Sequence, residues 1–276
     1  PEALAAAEPL PGDEYVEKWE QVRADDAFGS AGGGSGQLNT PKGVAVDGEG
    51  DVYVADAHNH RIQVFDANGA FLRQWGTEGN QPGQFKEPWG VTMGPDGDVY
   101  VADTWNHRVQ VFDDRGQLKK IWGTFGEVKD PMASQELLYG PRDLVVDEEG
   151  YLYITDTGNK RVVKYDPEGN MVRAVGGAGS EEGQMQEPVG LALSPEGDLY
   201  VADTWNQRIQ VFDSDLNFLR SWPVYAWEGM SVLNKPYLAV NAEGDVYATD
   251  PEGYRVIAFD SEGELLRVWG QKGSDL

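Results

Sequence analysis

Pro41-Lys-Gly-Val-Ala-Val-Asp47 returns as Pro88-Trp-Gly-Val-Thr-Met-Gly94, Pro141-Arg-Asp-Leu-Val-Val-Asp147, Pro188-Val-Gly-Leu-Ala-Leu-Ser194 and Pro236-Tyr-Leu-Ala-Val-Asn241. The leading prolines are spaced by 47, 53, 47 and 48 residues. A period in the high forties is the length of one propeller blade. Such a sheet cannot bury its two faces alone and depends on neighbours stacked on both sides.

Each period carries the same internal order. The first predicts strands over 43–46, 51–55, 61–65 and 70–75, parted by Asp-Gly-Glu-Gly at 47–50 and Asp-Ala-Asn-Gly at 66–69. Gly, Asn and Asp tolerate positive φ or bond their own backbone, so both tetrapeptides read as tight turns. Strands such as Val52-Tyr-Val-Ala55 and Ile62-Gln-Val-Phe65 are apolar on both faces, as a sheet buried between two others must be. The expectation is all-β: a propeller of four-stranded antiparallel blades, with repeats at about 41–87, 88–140, 141–187, 188–235 and 236–270.

Asp103-Thr-Trp-Asn-His-Arg-Val-Gln-Val-Phe-Asp113 and Asp203-Thr-Trp-Asn-Gln-Arg-Ile-Gln-Val-Phe-Asp213, with the VYVAD-type strand before them, resemble the signature of the NHL-repeat β-propeller family. The resemblance covers 41–270 and implies a fold rather than a function. It also implies six blades as the usual number. Five complete units are present, and residues 1–40 would have to supply a sixth from one good strand and a Gly/Ser run at 29–36. Five blades are expected. A strand at about 15–20, a further copy of the outer-strand pattern, should close the ring by pairing across the chain ends.

Residues 14–276 thus form one domain, and 1–13, rich in Ala and Pro, read as a linker. Such a linker suits a stalk, so a tether to a membrane through an upstream segment and an extracytoplasmic or cell-surface location are expectations. No stretch reaches the ~18 consecutive apolar residues of a membrane span, so this segment is not expected to insert directly. With 47 Asp+Glu against 22 Lys+Arg the net charge is −25, a field that repels phosphate backbones, and no nucleic-acid partner is expected. Cysteine is absent, which removes disulfides, thiolate metal sites and cysteine nucleophiles.

An Asp-x-x-Asn-x-Arg triplet stands at Asp56/Asn59/Arg61, Asp103/Asn106/Arg108, Asp156/Asn159/Arg161 and Asp203/Asn206/Arg208; the last repeat keeps Asp250 and Arg255 around Gly253. A catalytic set would occur once, so the triplet reads as turn capping and ion pairing. Three histidines, His58, His60 and His107, fall in two adjacent repeats. The amidating lyases related to the family hold zinc with histidines from separated blades, and that departure speaks against a zinc site. The Asp-Gly turns lack the ligand spacing of a calcium loop. No catalytic residue, metal or cofactor is expected.

Trp19, Trp75, Trp122, Trp222 and Trp269 share one place in the outer strand and read as packing residues. Trp89, Trp105, Trp205 and Trp227 break that rule. Strand alternation brings the second-to-third-strand turns and the blade-to-blade connections to one rim. The residue after each repeat proline, Lys42, Trp89, Arg142, Val189 or Tyr237, should sit there by the central channel. Two connections on that rim are unusual: 123–139, with a helical turn expected at 132–138, and 223–234. Positions that vary on a constant scaffold are free to specialise. The candidate ligand-binding rim is therefore Lys42, Trp89, Trp105, Arg142, Trp205, Trp227, Tyr237 and Tyr254. The expected function is a non-catalytic module of a larger bacterial protein that binds a protein, peptide or glycan. Two alternatives stand beside it: a metal-dependent lyase or hydrolase in the channel, and a structural oligomerisation module.

Overall fold

The computed structural model describes residues 18–20, 27–228 and 235–270. Five antiparallel sheets are arranged as propeller blades. Blade one comprises Pro41–Val46, Val52–Asp56, Arg61–Phe65 and Phe71–Trp75; blade two Pro88–Met93, Val99–Asp103, Arg108–Phe112 and Leu118–Trp122. Blade three comprises Pro141–Val146, Leu152–Asp156, Arg161–Tyr165 and Met171–Gly176; blade four Pro188–Leu193, Leu199–Asp203, Arg208–Phe212 and Phe218–Pro223. Blade five has a shorter inner strand, Leu238–Val240, followed by Val246–Asp250, Arg255–Phe259 and Leu265–Trp269. The strands of the first repeat lie within two residues of the sequence reading.

The expected pairing of the chain ends is present in the strand Trp19–Glu20, which runs parallel to the outer strand of blade five, Trp19 opposite Val268. It adds a fifth strand to that blade's edge. Residues 1–17, and so the linker and the start of the closing strand, lie outside the described residues.

The core sits between blades. Tyr53, Ala55, Ile62 and Val64 of blade one pack on Val91, Val99, Val101 and Phe112 of blade two. Comparable layers join blades two and three, three and four, and four and five. This is why both faces of each middle strand are apolar: one face serves each neighbour. The outer-strand Trp75 fills its layer against Tyr53 and Phe112, and Trp222 does the same against Tyr200 and Phe259. The seam between blades five and one differs. Val44 is 63% exposed where its counterpart Val91 is 4% exposed, and a cleft of about 540 Å³ opens between Pro41, Lys42, Tyr237 and Tyr254.

Close approach of the inner strands explains the glycine two places after the repeat proline. A Cβ on Gly43 would lie 2.5 Å from the Trp89 carbonyl oxygen, and one on Gly190 would lie 2.8 Å from the Tyr237 Cα. Blade three carries Asp143 at this place, and its carboxylate accepts the Leu144 and Leu191 amides at 3.0 and 2.9 Å.

The helical turn expected at 132–138 is not formed. Instead Leu137–Leu138 pairs in parallel with Thr124–Phe125. The carbonyls of Pro131, Ser134 and Leu137 all turn toward the Arg161 guanidinium. Carbonyls that converge on one guanidinium are not aligned along a common axis, as those of a helix must be to accept the i+4 amides.

Candidate functional site

The triplet builds the rim. In blade one the Asp56 carboxylate accepts the Asn59 side-chain amide, Arg61 Nε and Gln63 Nε2 at 2.8, 2.8 and 3.0 Å, and the Asn39 backbone amide at 2.6 Å. The Arg61 fork then reaches the Gly34 and Gln37 carbonyls at 2.7 and 2.8 Å. The second-to-third-strand turn is thereby clamped to the segment that leads into its blade, and blades two to four repeat the arrangement. Burial pushes the Asp156 carboxyl up, while Arg161 and the donors of Tyr139 and Asn159 pull it back.

These turns are single 3-10 turns: Ala57–Asn59, Thr104–Asn106, Thr157–Asn159 and Thr204–Asn206. Each ends in a left-handed residue, His60, His107, Lys160 or Gln207, and Tyr254 has the same conformation in blade five. His60 Nδ1 accepts the Glu87 amide at 3.1 Å, and His107 Nδ1 accepts the Gly140 amide at 3.0 Å. Both rings therefore orient the start of the next blade, and burial lowers the His107 pKa. Among the described residues no three His, Asp or Glu side chains stand together as metal ligands.

The middle residues Trp105 and Trp205, and the left-handed Tyr254 of blade five, point outward. Trp105 is 37% exposed, Trp205 50% and Tyr254 52%. Trp105 Nε1 donates to Glu87 Oε2 at 3.1 Å, which fixes its ring across the rim. Four other candidates gather at the channel mouth. A one-residue register shift after each repeat proline, as between Pro41 and Val44, leaves Lys42, Trp89, Arg142 and Val189 in a bulge. Such a bulge re-aims side chains out of the ladder. Lys42 Nζ lies 4.7 Å and Arg142 Cζ 4.1 Å from the Trp89 ring centroid. Lys42 and Tyr237 line a channel of about 300 Å³ together with Asp143.

Trp89 is 4% exposed, a buried ring between Lys42 and Arg142, and Trp227 lies away from both the mouth and the turns. Trp227 is 1% exposed, packs in the layer between blades four and five, and donates Nε1 to the Thr249 carbonyl at 3.1 Å. Of the two long connections, 123–139 presents Phe125 and Met132 on the rim. The other is described only as far as Glu228, after the 3-10 turn Tyr225–Trp227.

Three charged residues join the mouth that the sequence reading passed over. Glu187 and Lys235 flank their repeat prolines on the N-terminal side, and Glu187 Oε1 sits 3.4 Å from Arg142 Nη2 and 3.5 Å from Lys235 Nζ. The variability that singled out the residue after each proline applies equally to the one before it: Thr40, Glu87, Gly140, Glu187 and Lys235. The third is Asp143, marked by its replacement of the motif glycine. Burial pushes its carboxyl up to about 7, against the pull of the Leu191 and Leu144 amides.

That shift carries a pH signature. Between about pH 4 and pH 7 folded Asp143 keeps a proton that the unfolded chain has released. Its contribution to stability is full below the unfolded pKa and falls as pH rises toward 7. Relative to Asp143→Asn, the wild-type chain should lose up to about 1.4 kcal/mol of unfolding free energy per pH unit across that window. Urea titrations of both proteins at pH 5, 6, 7 and 8 measure the difference, and parallel curves would show that Asp143 does not titrate there.

The NHL repeat family profile matches residues 38–65, 85–112, 138–165 and 185–212. Each match runs from before the repeat proline to the end of the third strand, in blades one to four. A stretch of 44 residues is 59% identical to the B-box type zinc finger protein ncl-1 of Caenorhabditis elegans, covering 16% of this chain and 5% of that protein. The chain of a nidogen/laminin complex superposes with a TM-score of 0.64 at 17% identity, over 85% of this chain and 81% of that one. Virginiamycin B lyase from Staphylococcus aureus superposes with a TM-score of 0.59 at 14% identity, over 82% and 68%. At those identities the two structures share the fold alone.

Proposed function

We propose, from the premise that this chain is an NHL-repeat β-propeller, that it is a non-catalytic interaction module whose rim receives a protein or peptide segment. The observation that carries the reading is the set Trp105, Trp205 and Tyr254. Three aromatic side chains are exposed on one rim while the scaffold beneath them is clamped. Aromatic rings with an exposed face provide contact area at small conformational cost, and a stiff platform reduces the entropy lost on association. The opposite rim is made of the tight Asp-Gly-type turns and carries acidic groups such as Asp147, Glu148 and Glu196.

Displayed random peptides selected on the wild-type chain test the reading. Selected peptides should bind the Trp105→Ala/Trp205→Ala double variant at least about tenfold more weakly, the loss expected for removing two interfacial aromatic anchors. Unchanged affinity in the folded double variant would remove the rim from the account.

A channel lyase or hydrolase is the second reading, favoured by the polar groups at the mouth. It predicts that Asp143→Asn abolishes turnover of a channel substrate, whereas the interaction reading predicts unchanged peptide affinity.

A further inference from the structure

The channel mouth holds more positive charge than its surroundings explain. In a chain of net charge −25, Lys42, Arg142 and Lys235 converge on one end of the channel. Burial, and for Lys42 and Lys235 also the neighbouring Arg142 charge, lowers the pKa of the lysines, so each cation is held there at a cost. Arg142 is 9% exposed and Lys235 4%. Arg142 Nη1, Lys235 Nζ and Tyr237 Oη are buried without a hydrogen-bond partner among the described residues. Buried donors in that state are costly, and their recurrence at one spot marks a place for an acceptor.

A single acceptor now serves the two buried cations. Glu187 Oε1 is shared between Arg142 and Lys235, and neither distance is that of a tight ion pair. Glu187 is also partly exposed and sits at φ +61°, a left-handed conformation that disfavours a side chain with a Cβ. The equivalent place before the proline in blade three is Gly140, also at φ +61°. Glu187 thus holds a carboxylate at the mouth on a strained backbone, where a glycine fits the scaffold.

We propose that the channel mouth is a carboxylate-binding site, and that Glu187 is an internal stand-in which the ligand's carboxylate displaces. The inference rests on the reading that the rim receives a protein or peptide, and it names the group that anchors it: an acidic side chain or a C-terminal carboxylate. Lys42, half-buried over Trp89, meets the group first. Arg142 then offers a planar fork, Lys235 a point charge and Tyr237 a hydroxyl donor. A polyanionic strand would carry many charges into the field of the acidic chain, whereas one carboxylate carries a single charge to the cations.

Chemical-shift titration separates the outcomes. The probes are N-acetylglutamine, which offers a terminal carboxylate, the α-amide of N-acetylglutamate, which offers a side-chain carboxylate, and inorganic phosphate. The proposal expects Glu187→Gly to bind one of the carboxylates at least about tenfold more tightly than wild type, because a competing charge has left the site. It expects binding to be lost in Arg142→Gln and unchanged in Arg115→Gln on the opposite rim. The better probe identifies the source of the carboxylate. Equal affinity in wild type and Glu187→Gly, binding that persists in Arg142→Gln, preference for phosphate, or no saturation in Glu187→Gly would each overturn it. The probes carry no peptide segment to contact the rest of the rim, so a failed aromatic rim and a failed carboxylate site give different results.

Discussion

Replacing Arg161 by alanine should lower the unfolding free energy by about 3–5 kcal/mol, the range for breaking a buried ion pair by removing one partner. Both side chains of the Arg161–Asp156 pair are fully buried, with Nε 2.7 Å from Asp156 Oδ2. The same guanidinium satisfies the carbonyls of Pro131, Ser134 and Leu137. The alanine variant leaves a buried carboxylate with less compensation and three carbonyls without this donor. In blade five the same clamp is wetter, since the Arg255 side chain is 27% exposed. Arg255→Ala should therefore cost clearly less, as water replaces part of what is lost. Urea denaturation of the two variants measures both numbers, and equal losses would show that burial is not what makes the blade-three clamp strong.

Trp227→Ala should cost a similar amount, about 3–5 kcal/mol, the range for deleting a large aromatic side chain from a core. The ring is sealed between blades four and five beside Val224, Val246 and Ala248, and its indole N–H is spent on the Thr249 carbonyl. The cavity left behind opens in the layer between blades four and five. Peptide affinity per folded molecule should stay near wild type, since the ring offers no exposed surface to a partner. A variant as stable as wild type but deficient in binding would return Trp227 to the rim.

Trp227 also shows where the sequence stops being informative. It departs from the repeat, and departure was the criterion that picked out Trp89, Trp105 and Trp205. Departure shows that a position is free of the blade pattern. It does not show whether the chain folds that side chain outward or back onto the core. Trp105 and Trp205 sit inside a turn whose geometry is fixed by the Asp and Arg on either side, so their direction followed from the motif. Trp227 sits in a connection with no such motif.

The blades themselves were legible for a physical reason. Each layer between blades uses the same apolar positions, each turn needs the same Asp, Asn or Gly, and the inner strands of blades one, two and four need a glycine where a neighbour's backbone passes. Repeated constraints leave repeated residues. The helical turn expected at 132–138 failed because Met132, Leu137 and Leu138 were read locally, whereas the carbonyls there answer to Arg161 in another strand. Asp143 and Glu187 were legible in principle. One replaces the motif glycine and the other precedes the motif proline, but their meaning depends on Arg142 and Lys235 meeting across the channel.

The central claim is that recognition occurs on the rim formed by the second-to-third-strand turns. Amide hydrogen exchange, with and without a selected peptide, tests it most directly. The account predicts slowed exchange in the turns at 104–107, 204–207 and 253–255, with the opposite turns at 147–151 and 194–198 unchanged. Protection confined to those opposite turns, with the Trp105 and Trp205 turns exchanging as before, would contradict it.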